Sequence, residues 1–120
     1  MSKYIDGFLL PIAKDQIENY RQIAEQACAI WKEHGALEYV ETVGDDLEVQ
    51  DQLSFLNVAG AEENQTVVLA YIVYESREHR DAVNAKVFAD PRLQEMCGPD
   101  KVPFDCKRMA YGGFKSIVVG

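Results

Sequence analysis

The feature that most constrains this fold is a run of nine uncharged residues, residues 66–74, which reads TVVLAYIVY. β-Branched and aromatic residues of this kind favour a strand. Because neither alternating set of side chains carries a charge, the pattern predicts a central strand covered on both faces. Such a strand needs other strands beside it and helices packed on it, so we expect a sheet with residues 66–74 near its centre.

Two stretches have the periodicity of helices. Residues 16–34 repeat apolar side chains at steps of three and four, which predicts an amphipathic helix that Asp15 caps and Gly35 ends. Residues 76–90 predict a second helix, with Ser76 as its N-cap and a weaker apolar stripe. The stripe of the first helix comprises Ile17, Tyr20, Ala24, Ala27, Cys28 and Trp31.

Three further segments have strand character. Residues 4–12 are mostly apolar and aromatic, and Pro11 is expected to end that strand. Residues 36–43 alternate and carry charges, which is typical of an edge strand that avoids aggregation. Residues 108–119 predict the last strand, in which a Gly-Gly pair indicates a bulge or a close backbone approach.

The resulting order is strand, helix, strand, strand, helix, strand, which is the ferredoxin-like split βαβ pattern of an α+β protein. In this pattern two helices cover one face of a four-stranded antiparallel sheet. A chain of 120 residues is expected to form a single domain, residues 1–120, with no element left to cover the other face. We therefore expect a homodimer in which two copies pack through their open sheet faces.

The charge balance excludes several classes of partner. Twenty acidic and twelve basic residues give a net charge of −8 and a pI near 4.7. This balance argues against binding of nucleic acid or of an anionic membrane surface. No apolar run approaches the roughly 20 residues that span a bilayer.

The compartment is expected to be the cytoplasm. The short apolar stretch near the N-terminus is broken by Asp6 and Pro11, which makes it a poor signal peptide. The cysteines Cys28, Cys97 and Cys106 show no Cys-x-x-Cys spacing, so we expect reduced thiols rather than disulfides or a zinc site.

Residues 44–65 form a long acidic segment between two predicted strands. Loops of this length in small domains are often functional or form interfaces. The apolar residues 53–58 within the segment predict a short strand or an apolar anchor, which leaves an interaction module as one functional alternative.

Four blocks of the sequence carry a family resemblance. They read YIDGFLLPI, WKEHGALEYVE, YESREHRDAVNAKVFADPR and PFDCKRMAYGGF. Together they resemble the YbaA-like bacterial family, a domain of unknown function within the dimeric α/β-barrel superfamily. The resemblance implies a compact homodimer without an established reaction. The wider superfamily adds cofactor-independent monooxygenases, isomerases and stress-response proteins as alternatives, because function in such a fold depends on its site.

A polar pair is the first candidate for chemistry. Asp6 interrupts an apolar strand, and Arg108 opens the last strand, which neighbours the first in the ferredoxin-like order. An Asp6–Arg108 pair on the open face would be costly to bury and would therefore indicate a site. An end-of-strand salt bridge is the structural alternative.

The histidines are the next candidates, because histidine titrates near neutral pH. His34 is expected to bond the last carbonyls of the first helix. His79 lies in the first turn of the second helix, in a structural or a catalytic role. The catalytic candidates are thus Asp6, His79, Arg108 and Tyr111. The histidines lack metal-ligand spacing, and we expect neither a metal nor a cofactor.

Aromatic residues predict a cavity between sheet and helices that binds a small planar molecule, with a packed core as the structural alternative. The second helix adds a basic, amide-rich run, whose cations either hold an anionic ligand or pair with the acidic segment. The candidate ligand-binding residues are Tyr4, Trp31, Tyr39, Tyr71, Arg80 and Asn84.

Overall fold

The computed structural model describes residues 2–96 and 102–120; the predicted thiol at Cys97 lies outside this part of the chain. The strands are β1 (Tyr4–Ala13), β2 (Glu38–Val43), β3 (Gln65–Tyr74) and β4 (Ala110–Lys115). The helices are α1 (Ile17–Glu33), α2 (Phe55–Ala59), α3 (Arg77–Phe88) and α4 (Pro91–Met96), with 3-10 turns at Lys14–Gln16 and Cys106–Arg108.

The four strands form one antiparallel sheet in the order β2-β3-β1-β4. This is the ferredoxin-like order, and the α+β fold predicted from the sequence is confirmed. The uncharged strand β3 lies inside the sheet, and the charged strand β2 lies at its edge, as their compositions predict.

The sheet has two unlike faces. The helix face carries alternate side chains of β1, including Asp6 and Leu10, and packs against α1 and α3. Its core includes Tyr74 and Val87, both 0% exposed. The opposite side is called here the open face.

Val73, at one end of the open face, is buried, and the chain also covers the opposite end. There α2 packs on β1 and β3, and Pro11 and Val67 are buried. Farther along β3 on the same face, Leu69 is 46% exposed and Tyr71 37% exposed. The prediction that this strand is covered on both faces is therefore wrong for the single chain.

The helix boundaries follow local chemistry. Gly35, just after α1, has φ of 117°, a conformation that glycine adopts without a steric penalty, so the predicted stop is confirmed. Ser76 caps α3 by accepting a hydrogen bond from the His79 backbone N–H at 3.0 Å. Asp15 does not cap α1, because it lies within the 3-10 turn that precedes the helix.

The prediction for Pro11 needs correction, and of the two alternatives predicted for the Gly-Gly pair the close approach is observed. Pro11 does not end β1 but lies within it, opposite Val67. Pairing with β4 stops at Leu9, so Pro11 has a neighbouring strand on one side only and its missing N–H is tolerated. The Gly-Gly pair makes no bulge. Gly113 instead allows a close approach to the Tyr4 ring, which a Cβ atom there would overlap.

The acidic segment contains one regular element, α2. Ser54 caps it by accepting from the Asn57 backbone N–H at 3.1 Å, and Gly60 ends it with φ of 67°. The predicted apolar stretch is thus a short helix rather than a strand. Three of its larger side chains are more than half exposed: Leu53, Phe55 and Val58.

Candidate functional site

A cavity of about 1130 Å³ lies between the helix face of the sheet and α1. Helix α1 presents Ala24 and Ala27 toward it, and side chains of this size leave the space above the sheet unfilled. The segment 102–107 and helix α4 complete its rim. The larger apolar and aromatic lining residues include Phe8, Leu10, Trp31, Tyr39, Phe88, Phe104 and Met109.

One end of the cavity is formed by a buried ion pair. The Asp6 side chain is 1% exposed, and its Oδ1 accepts a hydrogen bond from Arg80 Nη1 at 2.6 Å. The same nitrogen of Arg80 lies 2.9 Å from the Tyr111 hydroxyl, and its guanidinium stacks over the Tyr4 ring at 5.0 Å. The pair therefore joins β1 to α3 and β4.

Asn84 extends this cluster. Its Oδ1 accepts from Trp31 Nε1 at 3.2 Å and from the Tyr74 hydroxyl at 3.3 Å, and its side chain acts to lower the pKa of Asp6. These bonds connect α1, α3 and the sheet at the same end of the cavity.

Burial governs the titration of the cluster. Loss of hydration raises the pKa of Asp6, and this outweighs the opposing effect of Arg80. Burial and the Asp6 charge also raise the pKa of Tyr111. Acid/base sites often contain a carboxyl group that lies at the edge of a cavity and has a raised pKa.

The prediction of an Asp6–Arg108 pair on the open face is wrong, because Asp6 has another partner and lies on the helix face. Asp6 lies on the helix face opposite Gly113, whereas Arg108 lies in the turn before β4, beyond the last paired residues. Arg108 instead donates to the Gly60 carbonyl and approaches Glu62 at 3.8 Å. The cations of α3 also do not pair with the acidic segment as expected, since Arg80 bonds Asp6 and Asp81.

A second carboxylate, which the sequence reasoning did not select, lies in the cavity. Glu41 of β2 accepts hydrogen bonds from the Tyr20 hydroxyl at 2.6 Å and from the Tyr39 hydroxyl at 2.7 Å. Burial and the Glu41 charge raise the pKa of both tyrosines, which keeps them as donors. Alternation along β2 places Glu41 on the same face as Tyr39. This pattern is the sequence signal that could have identified Glu41 as a site residue.

The histidines lie outside the cavity. His79 Nδ1 accepts from the Glu75 backbone N–H at 3.0 Å, and its ring packs on the edge of Tyr74. His34 Nε2 contacts Asp90 Oδ2 at 2.8 Å, so its expected bond to the last helix carbonyls is replaced by a side-chain pair. Within residues 2–96 and 102–120, no group of three His, Cys, Asp or Glu side chains could hold a metal ion.

The other predicted site residues divide between three places. Trp31, Tyr39, Asn84 and Tyr111 line the cavity. Tyr4 and Arg80 are not among the lining residues: Arg80 binds the Asp6 carboxylate, and its guanidinium stacks on the Tyr4 ring. The side chain of Tyr71 lies on the open face with Gly7 and Val40, because alternation along β3 directs it away from the cavity.

Comparison with known proteins identifies close sequence relatives. A family model described as "Protein of unknown function (DUF1428)" matches residues 3–106. The chain is 43% identical over 116 residues to the uncharacterized protein YbaA of Escherichia coli (strain K12), which covers 97% of each chain. The uncharacterized YbaA of Shigella flexneri has the same identity and coverage.

Solved structures show the fold. An uncharacterized NIPSNAP domain protein from Burkholderia xenovorans superposes with a TM-score of 0.54 at 14% identity, covering 97% of this chain and 94% of that one. A dimeric ferredoxin-like protein from an uncultured marine organism gives 0.53 at 13% identity, covering 100% and 98%. Both likenesses bear on the fold alone.

No helix in the described parts of the chain, residues 2–96 and 102–120, is long and apolar enough to cross a membrane.

The buried pair predicts a pH-dependent loss of stability in Arg80→Met, which removes the guanidinium and keeps an aliphatic side chain. We expect the free energy of unfolding to fall by about 3–5 kcal/mol at pH 8, because Asp6 is left charged and buried. Removing a cation raises the pKa of Asp6 further above the unfolded value of 3.8. The loss is therefore smallest near pH 4, where the carboxyl binds a proton in the folded state, and grows as pH rises.

Urea unfolding between pH 4 and pH 8 measures this loss. Arg77→Met, at an exposed position of the same helix, is the matched control and should change stability by less than about 0.5 kcal/mol at any pH. A loss in Arg80→Met that is equal at both ends of the pH range would show that the pair does not carry the effect.

Proposed function

We propose that this chain, which belongs to the DUF1428 family of proteins of unknown function, binds a small, largely apolar molecule in the cavity between its sheet and α1. The observation that carries the proposal is a cavity of about 1130 Å³ with aromatic walls and two carboxylates, Asp6 and Glu41, in its lining. Ligand sites have this composition, with many apolar groups and a few polar ones that fix orientation. Ordinary cores are packed without such space.

The two carboxylates indicate the length of the ligand. Asp6 on β1 and Glu41 on β2 are separated by strand β3 and by two residues along the strand direction. Two interstrand steps of about 4.8 Å and two residues of about 3.4 Å place their Cα atoms roughly 12 Å apart. A molecule of two or three fused rings spans that distance and fits the apolar surface between them.

A homodimer through the open face is part of the proposal. Three apolar side chains of the central strands, Leu9, Leu69 and Tyr71, share this face with Phe114 of β4, which is 62% exposed. A continuous apolar sheet face in a chain of net charge −8 favours a second identical face as its cover. The exposed apolar residues of α2 adjoin the same face and extend the surface.

A cytoplasmic location belongs to the same proposal. In the described residues Cys28 and Cys106 are free, the first half-buried and the second exposed. A reducing compartment keeps exposed thiols in this form.

Acid/base catalysis on the bound molecule is the second candidate, and the raised pKa of Asp6 beside the Tyr111 hydroxyl favours it. A cofactor-independent oxygenase or isomerase would use such a pair in a water-poor cavity. This candidate requires that the bound molecule change chemically during incubation, whereas binding alone does not.

Filling the cavity should weaken binding of an apolar probe. We expect the neutral dye Nile red to bind once per chain, and Ala27→Phe to weaken that binding at least about tenfold, because the phenyl ring occupies the dye's space. Fluorescence titration measures the affinity. Ala82→Phe, at an exposed position of α3, is the control and should bind as the wild type does. Equal affinities for all three proteins would place the dye outside the cavity.

The open face predicts the assembly state. By sedimentation velocity, the wild type should have about twice the chain mass of 13.5 kDa, and Leu69→Lys should be a monomer, because the dimer would bury an unpaired ammonium group. Val43→Lys is the control, since Val43 is also 46% exposed but lies on the helix face. A monomeric wild type, or a Leu69→Lys variant that remains a dimer, would refute this interface.

A further inference from the structure

We infer that the ligand carries a cationic or N–H-donating head group that binds Glu41, an inference that rests on the proposed binding function. Glu41 lines the cavity and is half-buried. Its two oxygens accept one hydrogen bond each, from Tyr20 and Tyr39. A carboxylate has about four acceptor positions, so about two are left for a ligand.

The two carboxylates of the cavity differ in how their charge is balanced. Asp6 has the Arg80 guanidinium at 2.6 Å. In residues 2–96 and 102–120, no Lys, Arg or His nitrogen forms an ion pair with Glu41. Its partners in this part of the chain are two neutral phenols, which orient the carboxylate and leave its charge in place.

The rim of the cavity does not supply the missing charge. Asp105 and Lys107 line the rim, and both are exposed. Their charges are opposite in sign and cancel. With Asp6 matched by Arg80, Glu41 is therefore the uncompensated charge among the described lining residues. A charge in apolar surroundings is stabilised by a partner of opposite sign, and here that partner is a group of the ligand.

The aromatic rings around Glu41 suit the same head group. Trp31 and Tyr39 have ring centroids 6.1 Å apart, and Tyr20 packs edge-on against Phe104 at 5.7 Å. Cations bind favourably over the faces of such rings. The class of ligand that fits is a planar or elongated apolar molecule with a protonated amine or amidine at one end.

A matched series of naphthalenes tests the inference on the wild-type protein. The probes are 2-naphthylmethylamine, 2-naphthalenemethanol and 2-naphthoic acid, which share one ring system and differ in charge. In displacement of Nile red at pH 7, we expect the amine to bind at least about tenfold more tightly than the alcohol, and the acid to bind most weakly. Glu41→Gln should remove the advantage of the amine, while Glu48→Gln, an exposed acidic position, should preserve it.

The outcomes separate this inference from the proposed function. Equal affinities for the amine and the alcohol, with both lost in Ala27→Phe, would overturn the charge preference and leave the binding function standing. An amine preference that persists in Glu41→Gln would place the cation elsewhere and also overturn the inference. Absence of binding by Nile red and by every naphthalene would overturn the proposed function as well.

Discussion

The buried carboxylate of Asp6 is the constraint on which the rest of the structure depends. At 1% exposure its charged form is stabilised by Arg80 of α3, which lies against it, so the pair connects α3 to β1. Tyr111 bonds to Arg80 and Asn84 bonds to Trp31, which joins β4 and α1 to the cluster. Helix α1 is fixed at this end and presents the small side chains of Ala24 and Ala27 to the cavity, which leave space above the sheet unfilled.

The two faces of the sheet have separate uses in this account. The helix face holds charge and hydrogen-bonding groups around a space large enough for a ligand, whereas the ladder positions of the open face are mainly apolar. Strand β3 contributes to both, since Ala70 belongs to the cavity floor while Leu69 and Tyr71 are exposed on the other side. The proposed ligand site and the proposed dimer interface thus lie on opposite faces of the sheet and share strand β3.

The sequence predicts the architecture better than the site, because periodicity identifies elements and faces but not which distant side chains meet. The uncharged run in β3 and the stripe of α1, together with three further strand segments and a second helix, predicted the ferredoxin-like order. The partner of Asp6 was not predictable in the same way: Arg80 and Arg108 were both available, and the choice depends on the rotation of α3 above the sheet. Glu41 was passed over because a charge on an edge strand has a common explanation in aggregation avoidance.

Native mass spectrometry of the freshly purified wild-type protein and of Ala27→Phe tests the central claim, that the space between sheet and α1 is a ligand site. The account predicts wild-type dimers that carry one small molecule per chain, released on denaturation, and Ala27→Phe dimers without it. The same bound mass on both proteins, or no bound mass on either, would contradict the claim.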